Sequence, residues 1–206
     1  MKNFSDLMGK QQVLPIIQVD TVEDGIKVAE AMQAGGVKVV ELVLRSPASL
    51  EALKQIKLNL PDLIVGAGTI LDKETLDKAL SMGADFIITP AITPTLLAAL
   101  KTCPVPVIPG VSTTSDVALA YEAGYREMKL FPAVLSGGVN FLKAVGSVFP
   151  LVKFCPTGGV NRSNVDSFLE LANVAAVGGT WLADKSWVKN QEWQKITQEC
   201  EFVQQA

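Results

Sequence analysis

The chain has 206 residues, of which 49% are hydrophobic and 19% are charged, and its formal net charge is −3 at pH 7. This length suits one substantial domain and is short for two. Charges of both signs are scattered along the chain, which disfavours a nucleic-acid-binding surface built from clustered Lys and Arg. No apolar run approaches the length of a membrane span, and the polar segment 1–12 lacks the apolar core of a signal peptide. We therefore expect neither nucleic acid nor a membrane as a partner.

The cysteine and histidine contents narrow the chemistry further. Cys103, Cys155 and Cys200 are widely spaced without a metal-ligand pattern, which predicts a reducing, cytoplasmic location and no metal site. The sequence contains no histidine, so Ser-His and Cys-His nucleophile pairs are excluded together with most zinc sites. Acid–base chemistry must then come from Glu, Asp, Lys, Tyr, Cys or water.

Short β-branched runs alternate along the chain with stretches that have apolar residues at helical spacing. The eight predicted strands are 13–19, 39–44, 63–68, 86–90, 105–111, 127–131, 152–156 and 174–178. Predicted helices include 22–32, 75–82 and a final helix over 190–203. Helix-start signals stand at Asp20-Thr21, at Asp72 and at Ser115-Asp116.

The strand runs are mostly apolar on both faces, as expected of parallel strands covered by helices. Eight such units predict an α/β fold, a single (β/α)₈ TIM-barrel domain over residues 1–206. A doubly wound open sheet is the structural alternative, although eight units of similar length would make it unusually large.

The second strand carries two charged residues on one face. Alternation places Glu41 and Arg45 on the side of Val39 and Val43, whereas the opposite face is aliphatic. Barrels of this kind keep their active sites at the carboxyl ends of the strands. We therefore expect Glu41 and Arg45 to point into the barrel at that end. The alternatives are a buried ion pair, or an arginine that leaves the core at the strand tip.

The third strand ends in small residues followed by Thr69. Gly66, Ala67 and Gly68 would leave room for a ligand or for close backbone approach, and Thr69 offers a hydroxyl group. Alternatively, Thr69 is an ordinary N-cap of the next helix.

The sixth strand places Lys129 among Met128, Leu130 and Phe131. A lysine in an apolar strand is expensive to bury as an ammonium ion, so burial favours the neutral amine, which is the nucleophile that forms an imine with a carbonyl. Phe131 shares its face, and we expect it to line the substrate pocket. The alternative is a lysine on the helix side of the strand whose charged end extends to water.

Two glycine-rich turns follow the last two strands. They are Thr157-Gly158-Gly159 and Gly178-Gly179-Thr180. Glycines before a helix N-terminus expose backbone N–H groups to an anion, and turns after strands seven and eight form the usual phosphate site of this fold.

Taken together, these motifs resemble the bacterial 2-keto-3-deoxy-6-phosphogluconate (KDPG) and 4-hydroxy-2-oxoglutarate (KHG) aldolases along essentially the whole chain. The segments that carry the resemblance are 35–37 with 40–45, 65–69, 108–113, 129–133, 154–160 and 178–182. Their order and spacing make the resemblance specific.

The resemblance implies a homotrimeric class I aldolase that uses neither a metal nor another cofactor. Such enzymes cleave KDPG, a small keto acid, into pyruvate and glyceraldehyde 3-phosphate, and many also cleave KHG into pyruvate and glyoxylate. By position, Lys129 matches the imine-forming lysine and Glu41 the general acid–base. The substrate carboxylate is assigned to Arg45, Thr69 and Pro90, and the phosphate to Thr157, Gly158, Gly159, Gly178, Gly179 and Thr180.

The chain departs from the family pattern at three positions. Val43 stands where threonine is frequent, Ala91 where glycine commonly follows the proline, and Thr180 where serine is common. These changes are compatible with a shift in substrate preference. The alternative functions are an aldolase for the galactonate epimer or mainly for KHG, another phosphate-binding barrel enzyme, and a non-catalytic phosphate-ligand-binding barrel.

Overall fold

The computed structural model describes residues 3–205, in which helices and parallel strands alternate. The strands are β1 (Val13–Ile17), β2 (Val39–Val43), β3 (Ile64–Gly68), β4 (Phe86–Ile88), β5 (Val107–Ile108), β6 (Gly110–Val111), β7 (Glu127–Leu130), β8 (Lys153–Phe154) and β9 (Val177–Gly179). The helices are α1 (Phe4–Met8), α2 (Val22–Ala34), α3 (Ser49–Asn59), α4 (Lys73–Ser81), α5 (Pro94–Leu100), α6 (Thr114–Glu122), α7 (Gly138–Val148), α8 (Val165–Leu169), α9 (Lys185–Lys189) and α10 (Trp193–Gln205). A 3₁₀ turn covers Trp181–Ala183.

The strands form two parallel sheets. A curled sheet of six strands has the order β5-β4-β3-β2-β1-β9, and a second sheet has the order β6-β7-β8. Isolated bridges join Phe154 to Val174 and Thr157 to Gly178, so the backbone near β8 meets the segment that leads into β9. The strand order does not reverse as it does in a doubly wound sheet. Instead, the last strand lies beside the first.

Each of the eight predicted runs overlaps an observed strand, but the fifth is divided. Pro109 separates β5 from β6, because a proline has no N–H group to contribute to a ladder. Its carbonyl still accepts a hydrogen bond of 2.9 Å from the backbone of Lys129. The prediction of one unbroken strand over 105–111 was therefore wrong in detail.

Side chains on the two faces of the sheets enter two separate apolar clusters. Val40 and Leu42 belong to the large cluster that includes buried residues of the covering helices. Val39 belongs to a smaller cluster with Leu14, Phe86, Ile88, Ile108 and Cys155. The alternation predicted for the second strand is confirmed by this separation.

Helix α1 closes the smaller cluster at the amino ends of the strands. Its Phe4 ring lies 5.5 Å from the ring of Phe86, the first residue of β4. The carboxylate of Glu127, the first residue of β7, accepts hydrogen bonds from the backbone of Phe4 (2.7 Å) and Ser5 (3.0 Å). Such bonds satisfy donors that a helix N-terminus would otherwise leave unpaired.

Two of the three predicted helix starts are confirmed. Thr21 and Asp72 accept hydrogen bonds from Asp24 N and Thr75 N, as predicted for N-caps. The third helix begins earlier than expected, because Thr113 forms a capping box with Asp116 and Ser115 lies inside the helix. Among residues 3–205, none of the helices combines the length and apolar character that crossing a membrane requires.

Candidate active site

A buried ion pair joins the two sheets. Lys129 of β7 is 4% exposed and Glu41 of β2 is 0% exposed. The Nζ atom of Lys129 lies 3.0 Å from Oε1 and 3.3 Å from Oε2 of the Glu41 carboxylate. Lys129 therefore points inward, and the alternative of a lysine that extends to water on the helix side was wrong. The ammonium ion that burial alone would disfavour has a carboxylate partner.

Glycines on β3 make room for the glutamate side chain. A Cβ atom at Gly68 would clash with the Glu41 carboxylate, and one at Gly66 would clash with the ring of Phe86. The space predicted beside the third strand thus exists, but neighbouring side chains fill it. The glycines serve close packing, and through it they place Glu41 beneath Lys129.

Arg45 lies two residues beyond the end of β2 and is exposed. The strand ends at Val43, so Arg45 extends from the turn that follows it, and its side chain lines a cavity together with Lys129. Its Nε atom donates a hydrogen bond of 3.0 Å to Oγ1 of Thr69. Thr69 has a left-handed φ of 67°, which is unusual for a β-branched residue. It is not a helix cap, since Asp72 caps α4.

A cavity of about 210 Å³ opens above Lys129. It is lined by Lys129 and Arg45 with Ile16, Gln18, Val43, Phe131, Thr157, Gly158, Gly159, Val160, Gly178 and Thr180. The Phe131 ring centroid lies 5.4 Å from the lysine Nζ. The structure therefore brings together eight of the twelve residues predicted for the site.

The four other predicted residues do not line this cavity. Glu41 accepts a hydrogen bond from Lys129, and Thr69 accepts one from Arg45, so both contact residues that line the cavity without lining it themselves. Gly179 packs against the Trp181 ring. Pro90 packs against Gly110.

Sequence reasoning missed Gln18, which lies just after β1 and lines both this cavity and a larger one of about 590 Å³ beside it. A polar residue directly after an apolar strand was the signal that could have found it. Of the departures from the family pattern, Val43 lines both cavities. Ala91 is exposed and lines neither of them.

The two glycine turns lie side by side. The bridge between Thr157 and Gly178 joins them, and the Gly178 N–H donates to the Pro156 carbonyl at 2.9 Å. Gly158 and Gly159 have φ values of 97° and 81°, which glycine adopts without steric cost. Within residues 3–205, the N–H groups of Gly158, Gly159 and Val160 donate no hydrogen bond to a protein acceptor. Three backbone donors are thus free beside the cavity.

The predicted helix starts behind these turns need correction. Helix α8 begins only at Val165, several residues after Gly159, and has five residues. The second turn leads at once into the 3₁₀ turn Trp181–Ala183. The donors of this site therefore come from the turn backbone and not from a long helix.

The thiol of Cys155 lies beneath the ion pair and is 2% exposed. Burial raises the pKa of this thiol to about 12, although the nearby Lys129 ammonium lowers it. The thiol is therefore protonated at neutral pH and is a poor nucleophile. In residues 3–205 no three Cys, Asp or Glu side chains are grouped so that they could hold a metal ion.

Comparison with known proteins adds the family. Residues 4–199 match the family model described as KDPG and KHG aldolase. The chain is 41% identical over 190 residues to the 2-dehydro-3-deoxy-phosphogluconate aldolase of Pseudomonas aeruginosa, covering 92% of this chain and 86% of that protein. It is 39% identical over 201 residues to the KHG/KDPG aldolase of Escherichia coli K12, covering 96% and 94% of the two chains.

Solved structures give the same result. The KDPG aldolase of Legionella pneumophila, captured with pyruvate at low pH as a covalent carbinolamine, is 40% identical to this chain. It superposes with a TM-score of 0.94, and the match covers 97% of each chain. With the family model matching nearly its whole length, the chain belongs to the KDPG and KHG aldolase family.

Proposed function

We propose that this protein is a class I aldolase that cleaves KDPG into pyruvate and glyceraldehyde 3-phosphate, and KHG into pyruvate and glyoxylate. The observation that carries the proposal is the Lys129–Glu41 pair, buried between two sheets and open to a cavity on the lysine side. An amine and a carboxylate in contact are the two groups that imine chemistry requires.

Lys129 is the nucleophile of the proposed reaction. Its neutral amine attacks C2 of the keto acid, and loss of water from the carbinolamine leaves a protonated imine. The bond between C3 and C4 then breaks as the C4 hydroxyl loses its proton, which releases the aldehyde. The electron pair moves into the imine and gives a neutral enamine. Protonation at C3 and hydrolysis release pyruvate and return the amine.

Glu41 moves the protons. It accepts a proton from Lys129 within the pair at 3.0 Å, which makes the amine nucleophilic. It then serves the carbinolamine oxygen, the C4 hydroxyl and finally C3, with water as a relay. General acid–base help of this kind is worth about 10²–10⁴ in rate.

The two ends of the substrate are held by different groups. Arg45, fixed by its hydrogen bond to Thr69, binds the carboxylate next to the keto group. The family resemblance assigns the backbone near Pro90 to the same end, although Pro90 does not line the cavity, and Phe131 forms one wall of the pocket. The phosphate lies at the two glycine turns, where the free N–H groups of Gly158, Gly159 and Val160 accompany Thr157, Gly178, Gly179 and Thr180.

We also propose that the two sheets close into one (β/α)₈ barrel that comprises a single domain. The bridges near β8 and β9, together with the short interval between β5 and β6, support this closure.

We propose in addition that the protein is a homotrimer, which would cover the exposed apolar residues Val134 and Leu135, which are 45% and 87% exposed. The three free thiols accord with a reducing, cytoplasmic location.

The proposal is tested by trapping the imine. The protein is incubated with pyruvate and borohydride, and the modified peptide is located by mass spectrometry. We expect one reduced pyruvyl group on Lys129, none in Lys129→Ala, and no cleavage activity in that variant. A Lys153→Ala variant, which removes a lysine from β8, provides the control and should be labelled like the wild type. Labelling of another lysine, or none, would overturn the assignment.

A further inference from the structure

Two asparagine side chains hold one carbonyl of the first glycine turn. Nδ2 of Asn164 donates to the Gly159 carbonyl at 3.0 Å, and Nδ2 of Asn161 donates to the same oxygen at 3.2 Å. Neither asparagine lines the cavity. The carbonyl of Gly159 therefore points away from the substrate space.

The peptide group that follows is fixed by the same contacts. In a trans peptide the N–H group points opposite to the carbonyl, so anchoring the Gly159 oxygen turns the N–H of Val160 towards the cavity that Val160 lines. On the other side of the turn, a Cβ atom at Gly159 would stand 2.8 Å from the Val134 side chain. The turn is held from both sides.

The amide groups themselves are oriented by the backbone. Oδ1 of Asn164 accepts from the Asn161 N–H at 2.9 Å, which leaves its Nδ2 to face Gly159. Oδ1 of Asn161 accepts from the backbone and hydroxyl of Ser163 at 2.9 and 2.6 Å. Each amide thus has its oxygen satisfied, and only its nitrogen is available to the carbonyl.

We infer that Asn164, assisted by Asn161, is a positioning residue that aims a backbone donor at the phosphate end of the substrate. This inference rests on the proposed function. Asn164 touches neither the substrate nor Lys129, so its effect reaches the reaction only through the orientation of the Val160 N–H.

The test compares Asn164→Ala with Asn173→Ala. Asn173 also donates its side-chain amide to a backbone carbonyl, that of Leu142 at 2.9 Å, but it neither lines the cavity nor contacts the glycine turn that Asn164 holds. A hydrogen bond to a charged group is worth enough that its loss raises KM for the phosphorylated substrate about ten- to a hundredfold. We expect that rise in Asn164→Ala, with kcat changed much less. The Kd for inorganic phosphate should rise by a similar factor.

Three readouts separate this role from a general loss of structure. Pyruvate trapping on Lys129 needs no phosphate, so its rate in Asn164→Ala should change far less than KM. Asn173→Ala should leave both KM and trapping at wild-type values. If Asn164→Ala does not fold, Asn164→Leu keeps most of the side-chain volume and loses the donor to Gly159 without adding a charge, so it carries the same expectation.

A KM for the phosphorylated substrate within about twofold of wild type in the folded Asn164 variant would overturn the inference and leave the proposed function intact. Failure of the wild type to trap pyruvate would refute the proposed function instead. Phosphate binding by the same variants would then still decide the role of Asn164, because that measurement does not depend on catalysis.

Discussion

The carboxylate of Glu41 on β2 lies against the Cα atom of Gly68 on β3, in the space that any side chain at position 68 would occupy. The register of the two strands, with Val43 paired to Gly68, brings them together. The position of the Glu41 carboxylate therefore depends on two features: the space left because residue 68 is glycine, and the hydrogen bonds that Lys129 donates to the carboxylate.

Replacement of Gly68 by alanine should remove catalysis without unfolding the protein. The added methyl group would displace the Glu41 carboxylate from Lys129, and we expect kcat to fall about 100-fold or more. Overpacking of this kind costs about 1–3 kcal/mol of stability. Steady-state cleavage assays and thermal unfolding measure the two effects. Gly124→Ala is the matched control, because its φ of 97° also disfavours a side chain while the space around it is open. It should lower Tm and keep kcat, and a Gly68→Ala enzyme with wild-type kcat would contradict the account.

Glu41→Gln should separate imine formation from turnover. The amide keeps the size of the carboxylate but cannot take a proton from Lys129 or return one to C3. We expect kcat to fall by about 10²–10⁴, while borohydride still traps some pyruvate on Lys129. Exchange of the pyruvate methyl protons with deuterium, followed by NMR, should slow in parallel with kcat. Unchanged exchange in this variant would remove Glu41 from its proposed role.

Arg45→Lys tests whether a planar guanidinium group is needed at the carboxylate end. A lysine cannot donate two parallel hydrogen bonds to a carboxylate, so KM should rise about tenfold or more. Thr69→Val removes the oxygen that accepts from Arg45 Nε at 3.0 Å and should raise KM by a smaller factor. If both variants keep the wild-type KM, the carboxylate is bound elsewhere.

The stability of the protein should decline above pH 9 in a way that depends on Cys200. Burial raises the pKa of this fully buried thiol from 9.0 to about 12. Between these values the unfolded chain loses the proton while the folded chain keeps it, so the free energy of unfolding falls as the pH rises. The contribution of the Cys200 thiol to the free energy of unfolding is fully present below pH 9 and is lost by pH 12, with a slope of about 1.4 kcal/mol per pH unit. The free energy of unfolding of the wild type and of Cys200→Ala can be measured with urea at several pH values in this range. Plotted against pH, the wild-type values should fall more steeply than those of the variant, by about 1.4 kcal/mol per pH unit. Parallel curves would contradict the prediction.

Much of the fold could be predicted because its signals are local. Apolar runs and caps such as Thr21 and Asp72 depend on a few neighbouring residues. The sequence predicted that Lys129 and Glu41 each lie in an apolar strand and face the interior, but it did not predict that the two side chains are in contact. Their contact across 88 residues required the arrangement of both sheets.

The errors have physical causes that lie outside such local patterns. The predicted second strand extends to residue 44, although the ladder with β3 ends at Val43. The division of the fifth run at Pro109 is an exception, because its cause, a proline without an N–H group, is visible in the sequence. The role of Gly68 depends on the Glu41 side chain, which approaches from a neighbouring strand, and nothing in the sequence around Gly68 specifies that contact.

The position of β9 beside β1 has a consequence for synthesis of the chain. Val13, Leu14 and Pro15 of the first strand pair with Val177, Gly178 and Gly179 of the last. A nascent chain that emerges from the ribosome amino end first must keep that edge of β1 unpaired until residue 179 has been made. Exposed strand edges favour pairing with other chains. Until β9 is made, this edge of β1 is therefore available to pair with another chain.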